Sequence, residues 1–429
     1  MELSASPQEQ HTKSAARDVI TGMLFVGLLF FILGFVTWLN GSLIPFLKIV
    51  CGLNNFQALW VTFAFYIAYT VMALPSAAVL KRTGYKKGMA LGLGVMGLGA
   101  LLFIPAAQTT YYGLFLAALF TLATGMTLMQ TAINPYIVCL GPRDSAAMRI
   151  SVMGLFNKGA GIVVPLIFTT LMLKDIDTAT QSVLAQRLVF PYACMAALLF
   201  AIMAFIHFSS LREIPLDADG ADEQVDAGSV LQYPQLVLGA LALFCYVGVE
   251  VIAGDTIGLY GHELHVENFG VLTSYTMVCM VLGYLIGVAA IPRYLSQPRA
   301  LVLSAALGLL LTVGVAVGST HHTGLSRALL GWTGAPLVPN TVMCLALLGL
   351  ANAMVWPAIW PLALQGLGRH TASGAAVLVM AIAGGALLPL LYGRLADVFM
   401  PRTAYWLLLP CYALIFWYAA SGHKIRRWR

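Results

Sequence analysis

Charge is what this sequence has least of. Asp, Glu, Lys and Arg make up 9% of its 429 residues, against 60% hydrophobic residues and a mean hydropathy of +0.86. A soluble domain of this size needs a charged surface to face water, so that class is excluded. Cysteine carries no pattern either. Seven are scattered, mostly inside apolar runs (Cys139, Cys194, Cys344), with neither metal-ligand spacing nor a disulfide framework, and they read as packing thiols. No Ser/His/Asp or His/Glu set stands on a common face, which argues against an integral membrane enzyme. The net charge of +6 comes from Lys and Arg placed singly between apolar spans, not from a patch that would hold nucleic acid.

What is present is long hydrophobic runs. A membrane helix needs about 20 apolar residues, and windows of that length predict twelve spans: 22–48, 56–80, 88–107, 112–140, 150–173, 188–211, 234–260, 269–291, 299–318, 340–364, 372–393 and 403–421. The fold class is therefore an all-α polytopic membrane protein. The run after the polar N-terminal residues lacks a small-residue cleavage site and reads as an uncleaved first span. Gly92, Gly94, Gly97 and Gly99 mark a close-packing face on the third span. With a cytoplasmic N-terminus, sixteen Lys and Arg fall on the inside and six on the outside, which places both termini in the cytoplasm.

The chain also halves. The acidic stretch between the sixth and seventh spans reads as a linker, giving a cytoplasmic N-terminal segment (1–21), a six-helix bundle (22–211), a linker (212–233), a second six-helix bundle (234–421) and a basic tail (422–429) that suits anionic lipid. The halves echo each other: Asn134-Pro135, a loop from Gly141, and Gly161 four residues before Pro165 recur as Trp360-Pro361, a loop from Gly366, and Gly385 four residues before Pro389. Such repeats place a substrate site near mid-membrane, between the halves.

Polar side chains inside apolar spans are costly, so they need partners in the bundle or in a ligand. The segment 128–165 is rich in them: Gln130 and Asn134 share one helix face, and Asn157 and Lys158 follow on the next span. Asn40 and Asn352 extend the set, and Trp38, Trp356 and Trp360 supply rings. Amides with hydroxyl-binding capacity beside aromatic faces suit a neutral sugar. Helix packing remains the rival reading for Trp356 and Trp360, and a kink-freed carbonyl for Asn134.

Several stretches resemble a known family. The loop KRTGYKKG is similar to the basic, Gly-containing loop of the major facilitator superfamily. TWLNGSLIPFLK, FQALWVTFAFYIAY, LMQTAINPYIVCLGP, FNKGAG, VGVEVIAGDTIG and NAMVWPAIWPLALQGLG resemble the fucose–proton symporter family, which includes bacterial glucose/galactose and N-acetylglucosamine permeases. The resemblance covers all twelve spans. It implies an alternating-access sugar importer of the bacterial cytoplasmic membrane, monomeric and without a cofactor beyond a coupling proton or sodium ion. It also implies a substrate role for Asn157. Where proton-coupled members carry an Asp and a Glu, this chain has Gly41 and Gln130, so that relay does not transfer. Gln130 directs the expectation to a glucose/galactose-type hexose or N-acetylglucosamine. A multidrug or other small-molecule exporter of the same superfamily is the alternative, opposed by the paired amides, and a non-transporting sensor stays open.

The carboxylates left inside spans are Glu250 and Asp255, both on the seventh and both candidates for cation coupling. Asp255 also reads as a plain helix-end residue at the outer surface. Lys158 is the one cation inside a span, and at 1.5 Å per residue it sits roughly 10 Å from Glu250 in depth. The two are expected either to meet in one conformation or to hold separate static contacts. His262 and His265 around Glu263 give too few ligands for a metal site.

Overall fold

Gly84 divides the longest helix of the chain. Trp60–Thr109 runs 50 residues, roughly 75 Å at 1.5 Å per residue, which is more than one membrane crossing. At Gly84 the backbone takes φ 78° and ψ 173°, a conformation glycine reaches without a Cβ penalty, and the chain reverses there into a second span.

A computed structural model of the chain describes residues 7–139, 146–172, 180–209, 231–291, 294–367 and 370–428; side chains are described outside 7–21, 134–135, 138–139, 146–151 and 371–373. The linker residues 212–230 and the side chain of Asn134 lie outside that set. The described residues form helices and connections, with no strand among them. Split at Gly84, the spans are α1 (Pro7–Cys51), α2 (60–83), α3 (85–109), α4 (Tyr112–Cys139), α5 (Ala146–Met172), α6 (Val189–Phe208), α7 (Pro234–Asp255), α8 (Leu272–Ala290), α9 (Gln297–Val317), α10 (Asn340–Leu364), α11 (Gly374–Val398) and α12 (Pro401–Ala420). These are the twelve crossings that hydropathy predicts. An even number returns the chain to the face it started from.

Small residues set the helix spacing. A Cβ on Gly92 or Gly99 would meet α4 at Met129 or Leu122, and one on Gly97 would meet Phe200 of α6, so the glycine-rich third span packs closely on two sides. In α10 the helix is interrupted at 353–354, where the ring of Pro357 opposes the carbonyl four residues earlier. The expected bend is there.

The first six helices pack among themselves, as do the last six, and the two sets meet along α5–α8, α2–α11 and α1–α7. The bonds joining them cluster on the face away from the termini. Ser42 Oγ donates to the Gly270 carbonyl (2.9 Å), Lys48 pairs with Glu263 (3.3 Å), and Asp397 accepts the backbone N–H groups of Asn55 and Phe56 (2.9 Å each). The repeated glycines take equivalent places. Gly161 lies against Met277 of α8, and Gly385 lies against Tyr66 of α2. Each is a point where one half touches the other.

The C-terminal tail does not project freely. Arg426 donates to the Gln365 carbonyl and to Gln365 Oε1 (2.9 and 2.7 Å), and Trp428 Nε1 donates to the Leu231 carbonyl (2.9 Å).

Candidate functional site

The centre of the molecule is an indole. Trp38 is 2% exposed, and its ring is held from both halves of the chain. Nε1 donates to Asn157 Oδ1 of α5 at 3.2 Å. The Lys158 ammonium sits 4.3 Å from the ring centroid, within the range of a cation–π contact. Met277, Met280 and Ala353 from the second half close around it. Glycines make the fit: a Cβ on Gly161 would lie 2.8 Å from Trp38 Cδ1, and one on Gly254 would lie 2.8 Å from Cζ3.

Lys158 and Glu250 meet. Their Nζ and Oε1 are 2.6 Å apart, and the side chains are 12% and 11% exposed. Of the two expectations for this pair the structure has the meeting, and the reach of a Lys side chain, several ångströms, helps bridge the offset in depth. Pairing is what a buried cation and a buried carboxylate require, since either alone would cost several kcal/mol.

Gln130 lies on α4, half-buried, with Nε2 donating to the Tyr69 hydroxyl of α2 at 3.3 Å. Tyr66 and Tyr69 stack beside it with ring centroids 6.3 Å apart. On the other half Trp356 and Trp360 form a ring pair at 5.5 Å, and Trp356 also faces Tyr246 at 6.2 Å. Trp360 Nε1 is buried without a hydrogen-bond partner.

The remaining candidates separate from this group. Asn352 is 1% exposed inside the second half, its Oδ1 accepting from the Tyr412 hydroxyl at 2.8 Å, and so belongs to the α10–α12 contact. Asn40 is 1% exposed, with Nδ2 unpartnered. Asp255 is 0% exposed. It occupies the contact between halves, which corrects its reading as an outer-surface helix end. His262 packs its ring on Phe269 (4.7 Å), and no group of metal-ligating residues forms among the described residues.

Tyr69, Tyr66 and Thr62 escaped the sequence reading because hydroxyl-bearing residues are common in membrane spans. Their spacing on one face of α2 was the available signal. A separate groove of about 790 Å³ runs between α1, α5 and α6, lined by residues such as Leu28, Phe31, Ile167 and Phe190 with Arg187 at its edge. It offers a sugar almost no hydrogen bonds, whereas the Trp38 region offers several.

Comparison with known proteins agrees with this fold. The family model described as the Major Facilitator Superfamily matches residues 26–385. The glucose/galactose transporter of Brucella abortus (biovar 1, strain 9-941) is 37% identical over 421 residues, covering 96% of this chain and 97% of that protein. The L-fucose-proton symporter of Escherichia coli K12 is 27% identical over 431 residues, covering 94% and 93%. Among solved structures, the transporter FucP in its outward conformation superposes with a TM-score of 0.70 at 25% identity, over 94% of this chain and 99% of that one.

Proposed function

The chain belongs to the Major Facilitator Superfamily, and on that premise we propose that it imports a neutral monosaccharide by alternating access, coupled to a cation. The substrate class is a glucose/galactose-type hexose or N-acetylglucosamine. The relative that shares 37% of its residues is named a glucose/galactose transporter, and Gln130 supplies an amide where a carboxylate would serve a proton.

The observation that carries the reading is the Trp38–Asn157–Lys158–Glu250 constellation, in which residues of both halves converge beside Gln130. Asn157, Lys158 and Gln130 present donors and acceptors to hydroxyl groups, and Trp356 and Trp360 present ring faces to the C–H side of the sugar. Trp360 Nε1 and Asn40 Nδ2 are buried donors with capacity left for a hydroxyl. Asn134, Trp38 and Asn352 complete the proposed set. Asn352 acts at one remove, through the packing of α10.

Residues 22–211 and 234–421 are the two rocking units. With both termini in the cytoplasm of a bacterium, the face stitched by Lys48–Glu263 and Asp397 is the outer one, and it is closed here. The protein works as a monomer in the inner membrane and uses no cofactor other than its coupling ion.

The test is uptake of radiolabelled hexose by a strain lacking its own permeases, with glucose, galactose, mannose, N-acetylglucosamine and fucose as competitors. Saturable uptake blocked by glucose, galactose or N-acetylglucosamine supports the reading. Absence of uptake for every sugar, together with extrusion of lipophilic cations, would assign the chain to export.

A further inference from the structure

The seal between the halves contains a carboxylate that has almost nothing to bond. Asp255 is 0% exposed at the end of α7. Its Oδ1 has no hydrogen-bond partner, and its Oδ2 has one long contact, 3.4 Å, from the Thr62 hydroxyl of α2. The neighbouring hydroxyls are committed elsewhere. Thr273 donates to the Gly254 carbonyl (2.9 Å), Thr256 bonds the Ile252 carbonyl (2.6 Å) and the Tyr405 hydroxyl (2.9 Å), and Ser42 donates to Gly270. An ionised carboxylate in this position would lack the two or three donors that normally hold a buried anion.

From this geometry we propose that Asp255 is a proton-binding site built into the outer seal: it takes a proton from outside water as the halves close over it and returns it there as they part, so that external acid holds the seal shut. The inference rests on the alternating-access reading and deepens it by giving the outer gate a proton-operated latch. Glu250 cannot fill the role as simply, because Lys158 already neutralises it.

A proton fits the site where sodium does not. Sodium needs several oxygens converging on one point, and the side-chain oxygen recorded against the Asp255 carboxylate is a single one, the Thr62 hydroxyl at 3.4 Å. Protonation needs one lone pair and no space. The interface is also tight: a Cβ on Gly41 would collide with Thr273 Oγ1 and come within 2.9 Å of the Gly254 carbonyl.

The titratable groups around Asp255 are few. Glu250 lies five residues back on α7 with Lys158 against it, and Tyr66 is on α2. Tyr405 of α12 bonds the adjacent Thr256, and α1 and α8 contribute Asn40, Ser42, Thr273 and Ser274. At the rim, burial pushes the Glu263 carboxyl up while Lys48 pulls it down, so Glu263 must be tested beside Asp255.

The sign follows from the geometry. Closing the seal removes Asp255 from water and favours its neutral form, so acid favours the sealed state and alkali the open one. Spin labels at Leu53→Cys and Glu267→Cys, one on each half of the outer face, report the separation directly in an otherwise cysteine-free protein, without sugar. Between about pH 5 and pH 9 the parent is expected to shift at least threefold from short toward long distances. Asp255→Asn stays short throughout, and Glu263→Gln keeps the response. Thr62→Val, which leaves the carboxyl in place, moves the transition to higher pH and serves if Asp255→Asn does not fold.

An Asp255→Asn protein that follows the parent curve overturns the proposal, as does a parent with no pH response. A distance change driven by sodium at fixed pH and abolished by Asp255→Asn gives the site to the metal ion and overturns the proton assignment. Failure of the sugar reading is separable, because it appears as distances indifferent to every sugar while the pH response persists.

Discussion

Lys158 of α5 and Glu250 of α7 close a 2.6 Å ion pair between the two halves of the molecule, with the ammonium resting over the indole of Trp38. The pair is largely withdrawn from water, so its value lies less in net stability than in what its rupture exposes. A motion that parts α5 from α7 leaves two buried charges unless water or substrate reaches them. The pair therefore biases the choice between conformations.

A double-mutant cycle measures that bias. Lys158→Ala or Glu250→Ala alone strands its partner, at a cost of about 3–5 kcal/mol, and each should cut sugar transport at least tenfold. The double variant should recover thermal stability toward the parent, giving a coupling energy of at least about 1 kcal/mol. Additive losses in thermal unfolding and in transport would show that the two side chains act independently.

Close approach on α5 gives a second prediction. A side chain at Gly161 has Met277 and Trp38 within 2.8 Å, whereas Gly154 and Gly159 on the same helix have nothing within 4 Å. Gly161→Val should abolish transport while the protein still inserts and elutes as a single species. Gly154→Ala should transport normally, with stability unchanged or raised by up to about 1 kcal/mol. Equal tolerance at both positions would remove the close contact from the account.

Gln130 is predicted to set sugar affinity. Gln130→Ala removes the amide that bonds the Tyr69 hydroxyl. The loss of one or two hydrogen bonds to a neutral ligand corresponds to about 1–2 kcal/mol, or roughly ten- to thirtyfold in Kd. Quenching of tryptophan fluorescence by added sugar reads this directly, with melting temperature as the control for folding.

The outer seal depends on Asp397, whose carboxylate accepts two N–H groups at the start of the short helix Asn55–Ala58. Asp397→Ala leaves those donors to water and should raise the labelling rate of a cysteine introduced at Thr62 from outside severalfold. Arg402, which donates to the Ala316 carbonyl within its own half, is the comparison: Arg402→Ala should not change that rate.

Much of the architecture was legible in the residues. Twelve apolar windows became twelve crossings because the bilayer imposes one length on every helix. The glycines of α3 and the repeated Gly161 and Gly385 fell at helix contacts, since only a missing side chain allows backbones so close. Distances between elements were not legible. Depth along straight helices left open whether Lys158 and Glu250 meet, because it says nothing of tilt or side-chain reach. Thr62 and Asp255 are 193 residues apart, and Asn55 and Asp397 are 342 apart; no local pattern announces such pairs. Asn352 is accounted for only in part: the Tyr412 hydroxyl bonds its oxygen, while its buried Nδ2 has no partner.

The most direct test is counterflow in proteoliposomes containing only the purified protein. Vesicles loaded with unlabelled glucose or galactose are diluted into trace labelled sugar, with no ion gradient imposed. The account predicts a transient accumulation of label well above equilibrium, at least tenfold smaller with Gln130→Ala at subsaturating sugar. Flat traces for every hexose and for N-acetylglucosamine, from protein that remains folded in the bilayer, would contradict it.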